Sequence, residues 1–306
     1  MIGRHRTGLD ETARAAVRSA IADEVVRPPQ REVEALIAAL RERFGACFAG
    51  ALYYGSCRRQ THPEGVIDLH VLVTDLGTAL GPWGARICRL LPPNVYYLEV
   101  EHMGSTVRCK YAVLSLAQFH RNCTRSAFHS YFWARYAQPL SLAGVATNTQ
   151  GPLVDSLVNA VETLALRALP RLPPPADGHG FWKGALGLCY RAELRAEGGG
   201  RAATLIAGHP EYYRATGDAV LAAMARSGPT VRARLDWGLR IALGKPLSLL
   251  RLIKGLYTFD GGLDYVAWKL ERHTGRPVEV PDKVRRRPMI HLWPLIWKLW
   301  REGMFR

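Results

Sequence analysis

The sequence predicts an α+β protein: a mixed sheet with flanking helices over the first half, followed by a mainly helical second half. Two observations carry that reading. Short apolar runs rich in β-branched and aromatic residues, each bounded by turn formers, recur between residues 46 and 115. From Val154 onward no such run occurs, and apolar residues fall at helical spacing. At 306 residues the chain holds one large or two modest domains. It divides into a sheet-bearing domain over 1–150, a helical domain over 151–282 and a basic, Trp-rich amphipathic tail over 283–306.

Taken in order, Leu9–Val26 and Pro29–Phe44 read as helices parted by Pro28-Pro29. In the second, Val33, Leu36, Ile37, Leu40 and Phe44 give one apolar face. Ala46–Tyr54 is the first strand and Val66–Val73 the second. Trp83–Leu91 follows as a helix stopped by Pro92-Pro93, and Asn94–Glu101 and Val107–Ser115 are further strands. A single helix is expected over Leu116–Tyr136 and another over Leu153–Leu169. The proline-rich run from Leu169 to Gly180 is the strongest loop signal in the chain. Phe181–Ala196, Pro210–Arg226, Val231–Leu243 and Leu247–Leu256 then read as helices, with no internal repeat and no heptad run.

One stretch invites a chemical reading. Tyr53-Tyr54-Gly55-Ser56-Cys57-Arg58-Arg59 leads through a polar loop into Gly65-Val-Ile-Asp68-Leu-His70-Val-Leu-Val73. Asp68 and His70 stand two apart, so a strand points both from one face. A carboxylate in so apolar a strand is costly to bury unless it meets a cation or is fully hydrogen-bonded. Gly55 lets backbone pass close to a ligand, and Ser56 adds a hydroxyl and an N–H suited to phosphate. Gly-Ser followed by a strand acid resembles the signature of the nucleotidyltransferase fold, in which the loop holds a triphosphate and the acid holds magnesium. The alternative for Asp68 is a satisfied structural acid.

Charge and cysteine usage narrow the partners. The chain has 41 Lys+Arg against 26 Asp+Glu, a net charge of +15, which implies an anionic partner: nucleic acid, acidic membrane surface or polyphosphate. Six scattered cysteines with no Cys-x-x-Cys pair argue for free thiols, without a zinc site or a disulfide framework. No secretory signal and no apolar stretch of about twenty residues is seen, so a soluble or peripheral protein is expected.

Further motifs give these residues a family resemblance. Tyr54-Gly55-Ser56, Ile67-Asp68-Leu69, Val95-Tyr96-Tyr97, Lys110-Tyr111-Ala112-Val113 and Tyr131-Phe132-Trp133-Ala134-Arg135 with Pro139 succeed one another in order. Tyr190, Glu193, Leu194 and Arg195, then Ile253-Lys254-Gly255 with Thr258, Tyr265 and Ala267, continue the series. Over roughly residues 50 to 270 the chain resembles phosphatidate cytidylyltransferases of the mitochondrial translocator-assembly-and-maintenance type and their bacterial relatives. That resemblance implies transfer of a cytidylyl group from CTP to phosphatidate, giving CDP-diacylglycerol and pyrophosphate, with Mg2+, at a membrane surface. The implied location is the inner face of a bacterial membrane, or the matrix side of the inner mitochondrial membrane in a eukaryote. The chain departs from the family pattern at Cys57, His70, Leu98-Glu99 and Ala137-Gln138.

Under that reading Asp68 is the magnesium ligand and Lys110 a point charge for phosphate, its alternative being a snorkelling strand-end lysine. Gly55, Ser56, Arg58 and His70 are expected at the nucleotide, with an inert sheet-face histidine the alternative for His70. Arg135 is expected at the lipid phosphate or in an ion pair with a neighbouring acid, and the resemblance adds Tyr190, Arg195 and Lys254. Glu99 and Glu101 share a strand face, where they either complete the metal site or form a solvated edge. In the tail, Trp293, Trp297 and Trp300 recur at helical spacing among basic residues, the pattern of an interfacial anchor or of a docked terminal helix. Two further readings stay open: a nucleotidyltransferase with another phosphate or nucleic-acid substrate, although no nucleic-acid module is visible, and a degenerate, membrane-associated interaction protein.

Overall fold

Five strands form one mixed sheet in the computed structural model, in the order β3-β4-β2-β1-β5. The structure describes residues 8–60, 65–193, 200–224 and 228–258, together with 271, 278, 280–286, 294 and 297. β1 (Phe48–Tyr54) runs antiparallel to β2 (Val66–Val73) and to β5 (Ser141–Ala143). β2 runs parallel to β4 (Ser105–Ser115), which pairs antiparallel with β3 (Asn94–His102). A parallel pair needs a crossover. Here α3 (Leu76–Leu90) and β3 supply it.

β1 and β2 bury both faces over most of their length, as their near-continuous apolar runs require. Ile67, Leu69, Val71 and Val73 point to one side, where Val33, Leu36, Leu40 and Phe44 of α2 (Arg31–Phe44) close a smaller core with Tyr53, Tyr111 and Val113. Leu52, Leu72 and Leu114 point to the other, joining a larger core. That core takes in α1 (Glu11–Val25), α4 (Leu116–Asn122), α5 (Ser130–Tyr136) and α6 (Thr147–Ala168). α7 (Gly178–Arg191), α8 (Arg201–Gly208) and α9 (Pro210–Ala223) pack into the same core, so the helical half shares the apolar interior of the sheet.

The helix expected over Leu116–Tyr136 is two helices. α4 ends at Asn122, where the Thr124 hydroxyl donates to the Arg121 carbonyl (2.8 Å) and closes a local turn. Residues 147–152 extend α6 beyond its expected start, and β5 and α8 are additional elements. Conversely, Val231–Thr258 is one continuous helix, α10, where the glycine and proline near residue 245 predict two. Among the described residues no strand occurs after β5, as the periodicity implied. All six cysteines are free and buried, and burial raises the pKa of Cys88, Cys109 and Cys123. No described helix is long and apolar enough to cross a membrane.

A buried ion pair ties α1 to the turn after β1. Arg58, after β1, pairs with Glu24 at the end of α1 (2.5 Å), both side chains being under a tenth exposed. Its guanidinium also donates to the Glu24 carbonyl (3.0 Å) and the Ser141 hydroxyl of β5 (3.0 Å), with His209 3.5 Å away. Burial would raise the Glu24 pKa, but hydrogen bonds from His209 and Arg58 and their charges hold it down at about 2. Glu24 is thus ionised in the folded state at a pH where the unfolded chain, near 4.5, takes up a proton. Its contribution is complete above about pH 4.5 and is lost as pH falls toward 2. Glu24→Gln should cost about 3 kcal/mol at pH 7, with the deficit shrinking across that window in urea unfolding curves.

Candidate functional site

Strand pairing sets Tyr54, Asp68, Lys110 and Tyr97 side by side in one row across β1, β2, β4 and β3. Residues directly opposite in neighbouring strands share a face. The Lys110 ammonium lies 3.1 Å from the Asp68 carboxylate, and both side chains are about a third exposed. One step further along the same face stands His70, paired with Leu52 and Ala112. Next comes Leu72, in the larger core. The face thus passes from solvent to a sealed interior within five residues of β2.

Gly55 ends β1 at φ 94°, a conformation that favours glycine. A Cβ there would lie 3.0 Å from the Asp68 carboxylate, so the absence of a side chain is what lets the backbone pass against the acid. Ser56 follows, exposed, at the start of a single 3-10 turn running to Arg59. The turn is pinned from beneath. Gln30 donates to the carbonyls of Cys57 (3.3 Å) and Gln60 (2.6 Å), and Cys57 is buried in the smaller core.

Several expected contacts are placed elsewhere. Arg58 does not face the Gly-Ser turn; its buried pairing with Glu24 makes it a support beneath. His70 is wholly buried, stacked on Tyr54 (centroids 4.9 Å apart) and edge-on to Tyr136 (5.3 Å). Neither ring nitrogen has a hydrogen-bond partner. Burial, with the charges of Arg135 and Lys110, drives its pKa well below the usual value, so the ring is a neutral floor sealed from any nucleotide. Lys254 donates to the carbonyls of Leu91 and Pro93 and to the Asn94 side chain (3.0 Å). It clamps the entry to β3, and burial lowers its pKa to about 8. Tyr190 is half-buried on α7 against the larger core. Arg195 lies outside the described residues, as do Trp293 and Trp300. Of the remaining tail, Lys283 belongs to the short helix Asp282–Arg286, and Trp297 is exposed.

Arg135 does reach the row. Its guanidinium lies 5.6 Å from the Tyr54 ring centroid and 4.6 Å from that of Tyr131. Arg251 of α10 stacks on the same Tyr131 at 4.3 Å and donates to the Pro92 carbonyl (3.0 Å). Burial and the charge of Arg135 push the Arg251 pKa down, with Glu193 acting the other way. The Glu193 carboxylate favours the charged form of both arginines. Sequence reasoning overlooked Arg251; its signal was the i, i+3 spacing with Lys254 in a leucine-rich helix.

The donor set for a divalent cation is Asp68 and the exposed Ser56. Glu99 accepts from Tyr97 (2.7 Å) and pairs with Arg108 (2.9 Å), while Glu101 accepts from Thr106 (2.6 Å); both sit on the β3–β4 hairpin edge. No group of three metal-ligating side chains gathers among the described residues. Magnesium takes one or two carboxylates and fills its shell with water and substrate phosphate, so Asp68 suits it as a single protein ligand.

No protein-family model matches the chain, and no curated protein matches it. Among solved structures, the chain is similar to a nucleotidyltransferase-like protein from Exiguobacterium sibiricum at 13% identity. The alignment covers 89% of this chain and 91% of that one, with a TM-score of 0.24.

His70→Leu removes two unsatisfied buried nitrogens and should leave stability at pH 7.5 unchanged or raised by up to about 1 kcal/mol. With a folded pKa below 6.5, wild-type stability falls as pH drops through that value, because the unfolded chain alone is protonated there. Urea midpoints measured at pH 7.5 and pH 5 should fall less in the variant than in wild type.

Proposed function

We propose that the chain is a magnesium-dependent nucleotidyltransferase that moves a cytidylyl group from CTP to phosphatidate at an anionic membrane surface. One observation supports it above the others: an acid and a lysine 3.1 Å apart, beside a glycine whose backbone crosses the acid and a serine presented to solvent. Asp68 would hold Mg2+, which when bound offsets triphosphate charge and polarises the phosphoryl oxygens. Ser56 and the backbone of the turn after Gly55 receive the β- and γ-phosphates, and Lys110 balances their charge. Arg135 and Arg251 receive the acceptor phosphate. An oxygen of that phosphate forms a new bond to the α-phosphorus of CTP as the bond to pyrophosphate breaks. The acceptor is an oxyanion at neutral pH, so the site need move no proton. Its task is alignment and charge balance.

The lack, among the described residues, of a second carboxylate beside Asp68 favours one other reading, a retained fold without catalysis. A single assay separates them: purified protein, labelled CTP, Mg2+ and phosphatidate liposomes, with ATP and RNA as alternative substrates. A labelled CDP-lipid is expected from CTP alone. Asp68→Asn should reduce its formation at least ~100-fold with an unchanged circular dichroism spectrum. Arg251→Gln should raise the apparent KM for phosphatidate more than that for CTP. Wild-type turnover in Asp68→Asn would remove the metal assignment, and transfer to RNA would move the protein to a different substrate class.

A further inference from the structure

α10 is built inside out. A helix packed on a protein normally turns its apolar stripe inward and its charges outward. Among the described residues the chain has thirteen large exposed hydrophobics, and eight of them lie on this one helix. Leu235, Leu239, Leu243, Leu249, Leu250 and Ile253 follow one outward arc and are 40–71% exposed. The inward side carries polar groups that hold the helix to backbone carbonyls. Trp237 donates to Arg167 (2.8 Å), Arg240 to Phe128 (2.9 Å), Arg251 to Pro92 (3.0 Å) and Lys254 to Leu91 and Pro93. At Gly244 the backbone approaches so closely that a Cβ would overlap the Ala192 carbonyl oxygen. The 28-residue helix, about 42 Å long, is therefore strapped to the body at points from Trp237 to Lys254, with leucines facing away.

We infer that the outward arc of α10 lies in the surface of an anionic lipid bilayer. Charge selects this occupant. Arg232 is exposed on the arc, Arg234 and Lys245 are exposed at its rim, and the helix has one acid, Asp236, which is half-buried. Two copies of this face brought together would set like charges against each other. Against acidic headgroups the same residues are complementary, and leucine between cations is the composition of an interfacial helix. Its cations and the inward anchoring exclude a crossing segment, in accord with the absence of any described helix long and apolar enough to span. Arg251, on the inward side of the same helix, stacks on Tyr131 beside Arg135, across the helix from the leucines. The inference shares the membrane partner of the function proposed above, but binding requires no reaction, so each can fail alone.

The test uses the full chain without CTP or phosphatidate, floated with phosphatidylcholine vesicles and with vesicles containing roughly 30% phosphatidylglycerol. Wild type should bind the anionic vesicles selectively. Leu239→Gln, Leu243→Gln and Leu250→Gln combined should partition at least ~10-fold less, with an unchanged or raised Tm because they relieve exposed apolar surface. Arg232→Gln, Arg234→Gln and Lys245→Gln combined should lose the preference for anionic lipid. Three outcomes overturn the inference. Wild type could ignore both vesicles. The leucine variant could bind like wild type while Trp293→Ala, Trp297→Ala and Trp300→Ala together abolish binding, which assigns the contact to the tail. Wild type could sediment as a dimer that the leucine variant splits with vesicle binding intact, which assigns the arc to a second copy.

Discussion

A guanidinium taken out of water must be paired, and the position of Arg58 follows from that requirement. Its pairing with Glu24, the Glu24 carbonyl and Ser141 fixes four points from α1, the turn after β1, and β5 to within a hydrogen-bond length. With Arg58 drawn inward and Gln30 holding two carbonyls, the turn has little freedom. Gly55 is then pressed against Asp68 and Ser56 is left facing out. The turn is thus positioned by charges buried beneath it. Replacing either partner of the pair would disturb the turn before it disturbed the acid.

Along β2 one face changes character in three alternate residues. Asp68 is partly solvated and paired with Lys110, His70 is sealed and neutral, and Leu72 lies in the core. The imidazole fills the transition between water and hydrocarbon: it stacks on Tyr54 and spends no charge doing so. Tyr54 in turn lies beneath the Arg135 guanidinium, and Arg135 meets Tyr131 under Arg251. Aromatic faces let several cations approach one another, with the Glu193 carboxylate acting on both Arg135 and Arg251.

Much of this was legible in the residues. The strands announced themselves as apolar β-branched runs, and Asp68 stood out because a carboxylate amid Ile67 and Leu69 needs a reason. Period-two alternation placed Asp68 and His70 on one face, as the pairing confirms. What alternation could not convey was depth: that His70 lies under two tyrosines depends on where α5 packs. Arg58 and Arg59 look alike in sequence, and the acid that captures Arg58 comes from 34 residues upstream. Lys254 looked like a phosphate ligand, but its partners are two backbone carbonyls and an asparagine side chain some 160 residues away, which carry no signature of their own. The division of Leu116–Tyr136 into two helices was hidden because apolar spacing carries on across the break, whereas β5, three residues long, is too short for any period.

The six thiols have a practical consequence. Each lies inside the protein, and none is bridged to another. An oxidant or alkylating reagent therefore finds no target until the interior opens, because only an exposed thiolate reacts at an appreciable rate. Folded, the protein should be indifferent to redox conditions; once unfolded, it presents six sites for random crosslinking. Each excursion from the native state thus risks permanent damage, and lifetime in storage or in a cell becomes a matter of how seldom the core breathes.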